Sequence, residues 1–344
     1  MKKQGVSAKD VALEAGVSRT TVSFVLNATP GKLIPEETRK RVLEAAERLG
    51  YQPDQEAARL AKSAKHTVAL AVRHSASIYS DAYILRLIEG IAPVLNRRRC
   101  GLVLLPCRQG CSSDELVTMV RRAGVDGVMI TNTLADDAGV PALAAAGVPS
   151  LVIGTVQGQA YQIDIDNRSA ARGATEYLLS LGHRRVAMIV HAPTGYFAAQ
   201  ARLDGFRDAV RAAGLSAADC AVEWADFSEE SGREAMQRLL ALPQRPGAVF
   251  AGNDAIAYGA CQAIQEAGLS IPGDISIIGF DDDYPSRFLW PPLTTVTLPA
   301  AALGERAAEM IVDLVHGHKL SEQRITLATQ LSVRESCAAA GKAQ

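Results

Sequence analysis

The sequence predicts an α/β protein with a small N-terminal three-helix unit, a short hinge helix, and a two-lobed body of doubly wound parallel sheets. Near its start, a Gly-containing turn joins two short amphipathic segments. From about residue 67, short apolar runs alternate with helical segments, which is typical of parallel strands covered on both faces. The length of 344 residues also exceeds that of a usual single domain. Seven or more strands are too many for one small sheet, so two lobes with a cleft are expected.

The first helices have recognisable start and stop signals. Gly16 permits the positive φ that ends a helix, and Ser18 is a good N-cap for the next one, as Ser7 is for the first. The residues predicted to face inward are Val11, Leu13, Ala15, Val22 and Val25, and those predicted to face outward are Arg19, Thr20 and Ser23. This pattern indicates a helix-turn-helix whose second helix fits the major groove of DNA, with an ordinary helical hairpin as the alternative.

A third helix and a polar segment complete the N-terminal region. Pro35 and the two glutamates after it mark the start of the helix, and Gly50 marks its end. Its predicted apolar stripe is Val42, Leu43, Ala46 and Leu49. Residues 53–66 then contain a helix-start signal and about two turns of helix, too few to be stable alone in water. The segment is either a tether or a hinge that folds only on its target.

The charge is distributed unevenly along the chain. Residues 1–66 contain 12 Lys and Arg against 8 Asp and Glu, whereas the remainder contains 24 against 29. A basic head on an acidic body suits a head that binds a polyanion.

Several sequence features bear on localisation. The six cysteines form no C-x-x-C pair, so we expect reduced thiols. The first ten residues lack the apolar core of a secretory signal, and no apolar run reaches about 18 residues. We therefore expect a cytoplasmic protein that does not enter a membrane.

Apolar runs in the body predict strands at 68–72, 102–105, 127–130, 150–153, 186–190, 248–250 and 275–279, with helices such as 82–95 and 170–181 between them. In doubly wound sheets, ligands bind beyond the carboxyl ends of the strands. Residues that directly follow a strand are therefore candidate ligand contacts.

The ordered motifs resemble the lactose/galactose repressor family. They are VSAKDVALEAGVSRTTVSFVLN and IPEETRKRVLEAAERLGYQPDQEAARLA in the head, and RLDGF, GNDAIAYG, IGFDD and PPLTTV in the body. The resemblance covers nearly the whole chain. It implies a transcription regulator, in most cases a repressor, with a periplasmic-binding-protein-like body. Such a regulator acts as a homodimer on pseudo-palindromic double-stranded operator DNA. The C-terminal tail lacks apolar heptads, so a dimer is expected rather than a tail-assembled tetramer.

The resemblance also implies a small effector between the lobes. A sugar or sugar derivative is expected, with a purine-type corepressor as the main alternative. A free small-molecule binding protein is the rival class. The expected domains are 1–52 for the head, 53–66 for the hinge, 67–164 plus 297–327 for one subdomain, and 165–296 plus 328–344 for the other. The crossings between subdomains are expected near Asp164, Val296 and Ala328.

The family pattern assigns DNA contacts residue by residue. The implied base contacts, including minor-groove contacts from the hinge, are Arg19, Thr20, Phe24, Ala57 and Leu60. The implied phosphate contacts are Ser7, Ser18, Thr21, Ser23 and Asn27. Two departures put the operator sequence in doubt: Phe24 stands where the family commonly has Arg, and Asp54 stands where Asn is usual.

The strand-end rule and the family motifs together predict the effector site. Its expected residues are Arg202, Phe227, Asn253 and Asp281, with Tyr79, Asp81 and Tyr83 as further candidates. The alternative for Arg202 is a salt bridge to Asp204 or Asp281, and the alternative for Asp281 is a structural loop carboxylate. Asp282 and Asp283 are expected in a solvated turn.

Enzyme classes find no support in the sequence. It contains no G-x-S-x-G, no Walker A sequence and no H-E-x-x-H. His316 and His318 are two residues apart and would point away from each other on a helix. We expect no enzymatic activity, no cofactor and no metal.

Overall fold

A computed structural model describes residues 8–26, 34–49, 66–74, 81–108, 111–135, 137–158, 160–216 and 220–341. The chain divides into two compact units, Met1–Lys65 and His66–Gln344. Several predictions lie outside the described residues: those for the hinge segment 53–65 and those for Ser7, Asn27, Asp54, Ala57, Leu60 and Tyr79.

The first unit contains the predicted helix-turn-helix. Its described helices are α1 (Ala8–Ala15), α2 (Arg19–Leu26) and α3 (Glu36–Arg48). Gly16 ends α1 with a φ of 63°, and the Ser18 hydroxyl accepts a hydrogen bond from the Thr21 N–H at 3.1 Å. Both signals are therefore confirmed. The buried core consists of Val11, Ala12, Ala15, Val22, Val25, Val42, Ala45 and Ala46.

Two leucines predicted to face inward are exposed. Leu13 is 84% exposed and Leu43 is 47% exposed. The inward face of α1 is formed instead by Val11, Ala12 and Ala15, which are spaced i, i+1 and i+4. Leu13 lies about 200° around the helix from Val11, so it cannot share that face. For Leu13 the prediction was wrong because apolar character was followed without helical spacing.

The second unit contains two six-stranded sheets. Its strands are β1 (His66–His74), β2 (Cys100–Arg108), β3 (Gly127–Thr131), β4 (Ser150–Ile153), β5 (Tyr161–Ile165), β6 (Val186–Val190), β7 (Cys220–Trp224), β8 (Ala248–Ala251), β9 (Ser276–Asp281), β10 (Thr294–Thr297), β11 (Arg324–Leu327) and β12 (Gln330–Ser332). Its described α-helices are α4 (Ala82–Arg98), α5 (Ser113–Ala123), α6 (Gly139–Ala145), α7 (Asn167–Ser180), α8 (Phe197–Ala212), α9 (Glu229–Leu240), α10 (Asp254–Glu266) and α11 (Ala300–Val315).

Each sheet forms the centre of one lobe, and the predicted fold class is confirmed. The first lobe has strand order β11-β5-β4-β3-β1-β2, and the second has β12-β10-β9-β8-β6-β7. All described pairings are parallel except that of β12 with β10. Five strands were not predicted, namely β5, β7, β10, β11 and β12. Most of them alternate buried and half-exposed residues or lie at an edge, so they have no continuous apolar run.

Helix packing positions the elements that line the cleft between the lobes. In the first lobe α4 lies against α11, and a Cβ at Gly90 would come within 1.8 Å of the Ala301 carbonyl oxygen. Only glycine permits this close approach. In the second lobe α7 lies against α8, and α9 against α10. None of the described helices combines the length and apolar character needed to cross a bilayer.

Candidate DNA-reading helix and effector cleft

Helix α2 presents an exposed face at its N-terminal end. Ser18, Arg19 and Thr20 are exposed, whereas Thr21 and Phe24 are half-buried. The Ser18 and Thr21 hydroxyls are 2.9 Å apart, so part of their hydrogen-bonding capacity serves the helix cap. Arg19 and Thr20 thus lie outside the packed core of the first unit. The DNA contacts assigned to all five residues, and to Ser23, stay predictions.

The two lobes enclose a cavity at the carboxyl ends of their strands, with an empty volume of about 680 Å³ that includes its open mouth. We call it the cleft cavity. Six predicted effector residues come together on its wall, although they are far apart in sequence. They are Asp81, Tyr83, Arg202, Phe227, Asn253 and Asp281.

Sequence reasoning missed more than half of the polar lining. The additional residues are Thr131, Asn132, Thr133, Thr155, Asp164, Asn167, His191 and Tyr196. Several of them end or directly follow a strand: Thr131 ends β3, Asn132 follows it and His191 follows β6. The strand-end rule would have found them had it been applied to every strand.

Arg202 is the central cation of the cleft cavity and is only 5% exposed. Its Nε donates to Asn167 Oδ1 at 2.9 Å and its Nη1 to the Gly252 carbonyl oxygen at 2.5 Å. Its guanidinium carbon lies 3.5 Å from the centre of the Phe280 ring, a cation–π contact. Its Nη1 is also 4.0 Å from Asp281 Oδ1. Of the two salt bridges left open by the sequence, the structure has the one to Asp281.

Asp281 is buried in a strained turn. Its φ is 116° and that of Asp282 is 56°, both in the region that non-glycine residues rarely adopt. Burial raises the pKa of Asp281 well above its usual value, and the neighbouring Arg202 opposes that rise. A carboxyl group held this way can accept from, or when protonated donate to, a ligand hydroxyl.

The prediction of a solvated turn for Asp282 and Asp283 was wrong. Both are buried, with exposures of 6% and 4%. Asp282 forms an ion pair with Arg334 at 2.5 Å, and the Asp283 N–H donates to Asp254 Oδ2 at 2.8 Å. The partners come from distant parts of the chain, which the local sequence does not reveal.

Asp254 anchors this turn from α10. It is fully buried and accepts hydrogen bonds from the Ser286 hydroxyl at 2.5 Å and the Thr295 hydroxyl at 2.6 Å, in addition to the Asp283 N–H. Burial raises its pKa to about 7. Asp254 therefore connects β10 and the 3₁₀ helix Tyr284–Arg287 to the segment that carries Asp281.

An aromatic wall faces these polar groups. The Phe227 ring makes edge contacts with Tyr196 at 5.2 Å and with His191 at 5.6 Å between ring centres. The backbone N–H of Phe227 donates to the His191 carbonyl oxygen at 2.7 Å, which fixes the loop that carries the ring. Asn253 caps α10 by accepting from the Ile256 N–H, and Asp81 caps α4 by accepting from the Tyr83 N–H. Asn253 and Asp81 therefore line the cleft cavity and also cap the N-termini of these helices.

Hydrogen bonds between described residues also join the lobes across the cleft. A short backbone ladder pairs 133–135 with 195–197, with Ala135 N–H to Gly195 O at 2.8 Å. On α4, Arg86 reaches the second lobe, where its Nη1 donates to the Asp281 carbonyl oxygen at 2.6 Å. Its Nη2 donates to the Leu298 carbonyl oxygen at 3.1 Å, and its Nη1 lies 3.6 Å from Asp283 Oδ1. Arg86 thus ties the first lobe to the turn that presents Asp281.

A capped helix with an exposed reading face and a body with a ligand-sized cleft define a class of protein. It is a sequence-specific DNA-binding transcription regulator whose DNA affinity is controlled by a small effector. Among the described residues, no three His, Cys, Asp or Glu side chains are grouped so as to hold a metal ion.

Comparisons with known proteins give the family. Residues 7–54 match the family described as "Bacterial regulatory proteins, lacI family", and residues 175–337 match "Periplasmic binding protein-like domain". The HTH-type transcriptional regulator CelR of Thermobifida fusca is 33% identical over 95% of this chain and 96% of its own length. The ribose operon repressor of Escherichia coli K12 is also 33% identical, over 95% and 98%. This chain belongs to the lacI family of bacterial regulatory proteins.

Solved structures agree with this assignment. The lac repressor dimer bound to operator and the anti-inducer ONPF matches with a TM-score of 0.77 at 27% identity, covering 98% of this chain and 100% of that one. A CelR–cellobiose complex matches with a TM-score of 0.73 at 32% identity, covering 96% and 99%.

Proposed function

We propose that the protein is a homodimeric repressor whose effector is a sugar or sugar derivative bound in the cleft cavity. Each chain contributes one helix-turn-helix to a pseudo-palindromic operator. The protein acts by binding and not by catalysis. Its target is DNA, so we propose that it works in the cytoplasm.

The observation that carries this proposal is the pairing of an aromatic wall with hydrogen-bonding groups in one cavity. The Phe227 ring can contact the apolar face of a pyranose or furanose. Arg202 and Asp281, which line the same cavity, can hold neighbouring hydroxyls, because one donates and the other accepts. The solved structure of a CelR–cellobiose complex, which this chain resembles, supports a carbohydrate.

The proposed control acts through the lobes. The subdomain boundaries proposed above place crossings near Asp164, Val296 and Ala328. Effector binding changes the arrangement of the lobes, and that change decides whether the hinge helix in 53–66 forms. Because two turns of helix are marginal alone, a few kcal/mol of differential affinity is enough to shift the equilibrium.

A cluster of exposed aromatic residues supports assembly of the body. Tyr284, Phe288 and Trp290 are 73%, 68% and 85% exposed, and the first two rings lie 4.9 Å apart. Exposed apolar patches of this kind commonly form protein interfaces. We therefore propose that this cluster lies at or near the contact between the two subunits.

The experiment that tests the proposal combines binding-site selection with an effector screen. Full-length protein selects DNA from a random library, and anisotropy then measures the affinity for the selected site with and without sugars or nucleobases. We expect a palindromic site, a steep loss of affinity as salt rises, and a change of affinity with a sugar. A response to nucleobases alone would replace the sugar with a purine-type corepressor, and absence of specific DNA binding would favour a free binding protein.

Arg19→Ala should relax base preference at one symmetric position of each half-site. The exposed guanidinium can bond bidentately to a guanine, and its loss costs roughly 1–3 kcal/mol at that position. Affinities for operators substituted singly at each position measure the effect. Equal losses on every sequence would instead make Arg19 a phosphate contact.

Arg86→Met should weaken the coupling between effector and DNA. The substitution removes the hydrogen bonds to the Asp281 and Leu298 carbonyl oxygens but keeps much of the side-chain length. We expect the ratio of DNA affinities with and without effector to fall at least about fivefold, within the usual range of allosteric coupling. Operator titrations at saturating effector measure this ratio.

The matched control is Arg97→Met on the same helix. Arg97 is exposed and makes a long ion pair with Glu305 at 3.8 Å. The Arg97→Met substitution should leave the ratio of DNA affinities with and without effector unchanged. Equal effects of the two substitutions would count against the role of Arg86.

A further inference from the structure

Two polar side chains on the cleft cavity make no hydrogen bond to any other residue in the described part of the chain. His191 follows β6 in the second lobe and is 6% exposed. Asn132 follows β3 in the first lobe. Both line the cavity, and His191 Nδ1 and Asn132 Nδ2 are shielded from solvent without a partner among these residues. Buried polar atoms are almost always paired, so two unpaired ones on residues that line one cavity indicate a ligand that pairs them.

The charges around the cavity restrict the chemistry of that ligand. Three carboxyl groups line it, those of Asp81, Asp164 and Asp281, against the single guanidinium of Arg202. Two of its nitrogens, Nε and Nη1, already donate to Asn167 and to the Gly252 carbonyl oxygen. Burial, with a further contribution from Arg202, lowers the pKa of His191 well below its usual value, so its imidazole is uncharged at neutral pH. An anionic ligand would therefore meet three carboxyl groups and a single cation among the described lining residues, so an uncharged ligand suits the site better.

We propose that the effector is an uncharged, hydroxyl-rich molecule that spans the two lobes, and that Asn132 and His191 are specificity-determining residues that hydrogen-bond to it. The Asn132 amide donates to a ligand oxygen. A neutral imidazole offers one donor and one acceptor, which matches a hydroxyl group. Sugar phosphates and sugar acids are rejected by the carboxyl groups. The proposal rests on the proposed function, since it refines the effector of that site.

Matched pairs of neutral and anionic ligands test whether the site prefers an uncharged effector. Isothermal titration of the full-length protein uses cellobiose against cellobionate, ribose against ribose 5-phosphate, and glucose against glucose 6-phosphate. We expect at least one neutral sugar to bind, with its anionic counterpart at least tenfold weaker. An anionic member that binds as tightly as its neutral partner, or a panel in which no neutral sugar binds, overturns the ligand class.

Two variants test the residues with the tightest neutral sugar. His191→Phe keeps a ring against Phe227 and removes both ring nitrogens, and Asn132→Gly removes the amide while tolerating the φ of 55° at that position. We expect each to weaken sugar binding at least tenfold and to leave the melting temperature of the free protein unchanged or higher. Unchanged affinity in both variants, or a lowered melting temperature with unchanged affinity, overturns their assignment.

His183→Phe is the control for a buried histidine outside the cavity. The His183 Nε2 lies 3.1 Å from both Ser276 Oγ and the Ala338 carbonyl oxygen. This variant should lower the melting temperature and leave sugar affinity unchanged.

Anisotropy measurements on the selected operator distinguish a failure of the proposed function from a failure of this inference. Loss of all specific DNA binding refutes the proposed function even if the sugar ranking holds, whereas normal DNA binding with an anionic effector refutes only this inference.

Discussion

Arg202→Ala is expected to abolish effector binding and to destabilise the body by about 3–5 kcal/mol, because it breaks a buried ion pair and leaves Asp281 without its cation. The substitution also leaves the Asn167 side-chain oxygen and the Gly252 carbonyl oxygen without a donor, and it removes the contact with the Phe280 ring. Thermal or urea unfolding of the full chain measures the stability loss. Titration with the effector identified by screening should show a loss of affinity of at least about 100-fold, as expected when a charged hydrogen-bonding partner is removed.

A double variant separates the binding role of Arg202 from its structural role. Adding Asp281→Asn to Arg202→Ala removes the unpaired buried carboxylate, so at least about 1 kcal/mol of stability should return. Effector binding should remain lost, because neither original group is present. If the second substitution restores no stability, the pairing with Asp281 is not what stabilises the folded state. If it restores effector binding, Arg202 does not contact the ligand.

Asp254→Ala is expected to lower the free energy of unfolding by at least about 3 kcal/mol, because three buried donors lose their common acceptor. Those donors are the Ser286 and Thr295 hydroxyls and the Asp283 N–H. They hold the turn that presents Asp281, so the same variant should also weaken effector binding. Urea unfolding and effector titration measure the two effects. Asp254→Asn keeps the side-chain size and one acceptor oxygen, and should cost less.

Because the pKa of Asp254 is raised in the folded state, the free energy of unfolding should depend on pH. In the folded state the pKa is about 7, against 3.8 for an unperturbed aspartate. Between these values the folded state holds a proton that the unfolded state has released, so stability falls as pH rises from about 4 to about 7. The full effect is on the order of 4 kcal/mol. The free energy of unfolding of Asp254→Asn should depend less on pH over this range, and an unchanged dependence would assign the titration to another group.

Local sequence features predicted their structures well. The Gly16 turn and the Ser18 cap depend on residues within three positions of each other, and both are present. Strands with continuous apolar runs were found nearly to the residue, as for 150–153 and 186–190, because a strand buried on both faces excludes polar side chains. The carboxyl ends of such strands then indicated where the cleft cavity lies.

Features that depend on distant residues were missed or mistaken. Asp282 and Asp283 look like a surface turn in sequence, yet Arg334, 52 residues away, and Arg86 on the other lobe keep them buried. Asp254 looks like part of a loop motif, and its partners lie 29 to 41 residues further on. Such contacts exist only after the sheet brings the ends of β8, β9 and β10 together.

The sequence by itself determined the class of this protein: a capped helix-turn-helix before two doubly wound lobes, with a ligand site at the strand ends. It did so because caps, turns and fully buried strands depend on neighbouring residues. Only the tertiary structure decided how the side chains of the cleft are paired. It placed Arg202 over Phe280, joined Arg86 to the Asp281 turn, and left His191 and Asn132 unpaired within the described residues. The two contacts join residues 78 and 195 positions apart, and packing, not local pattern, brings such residues together.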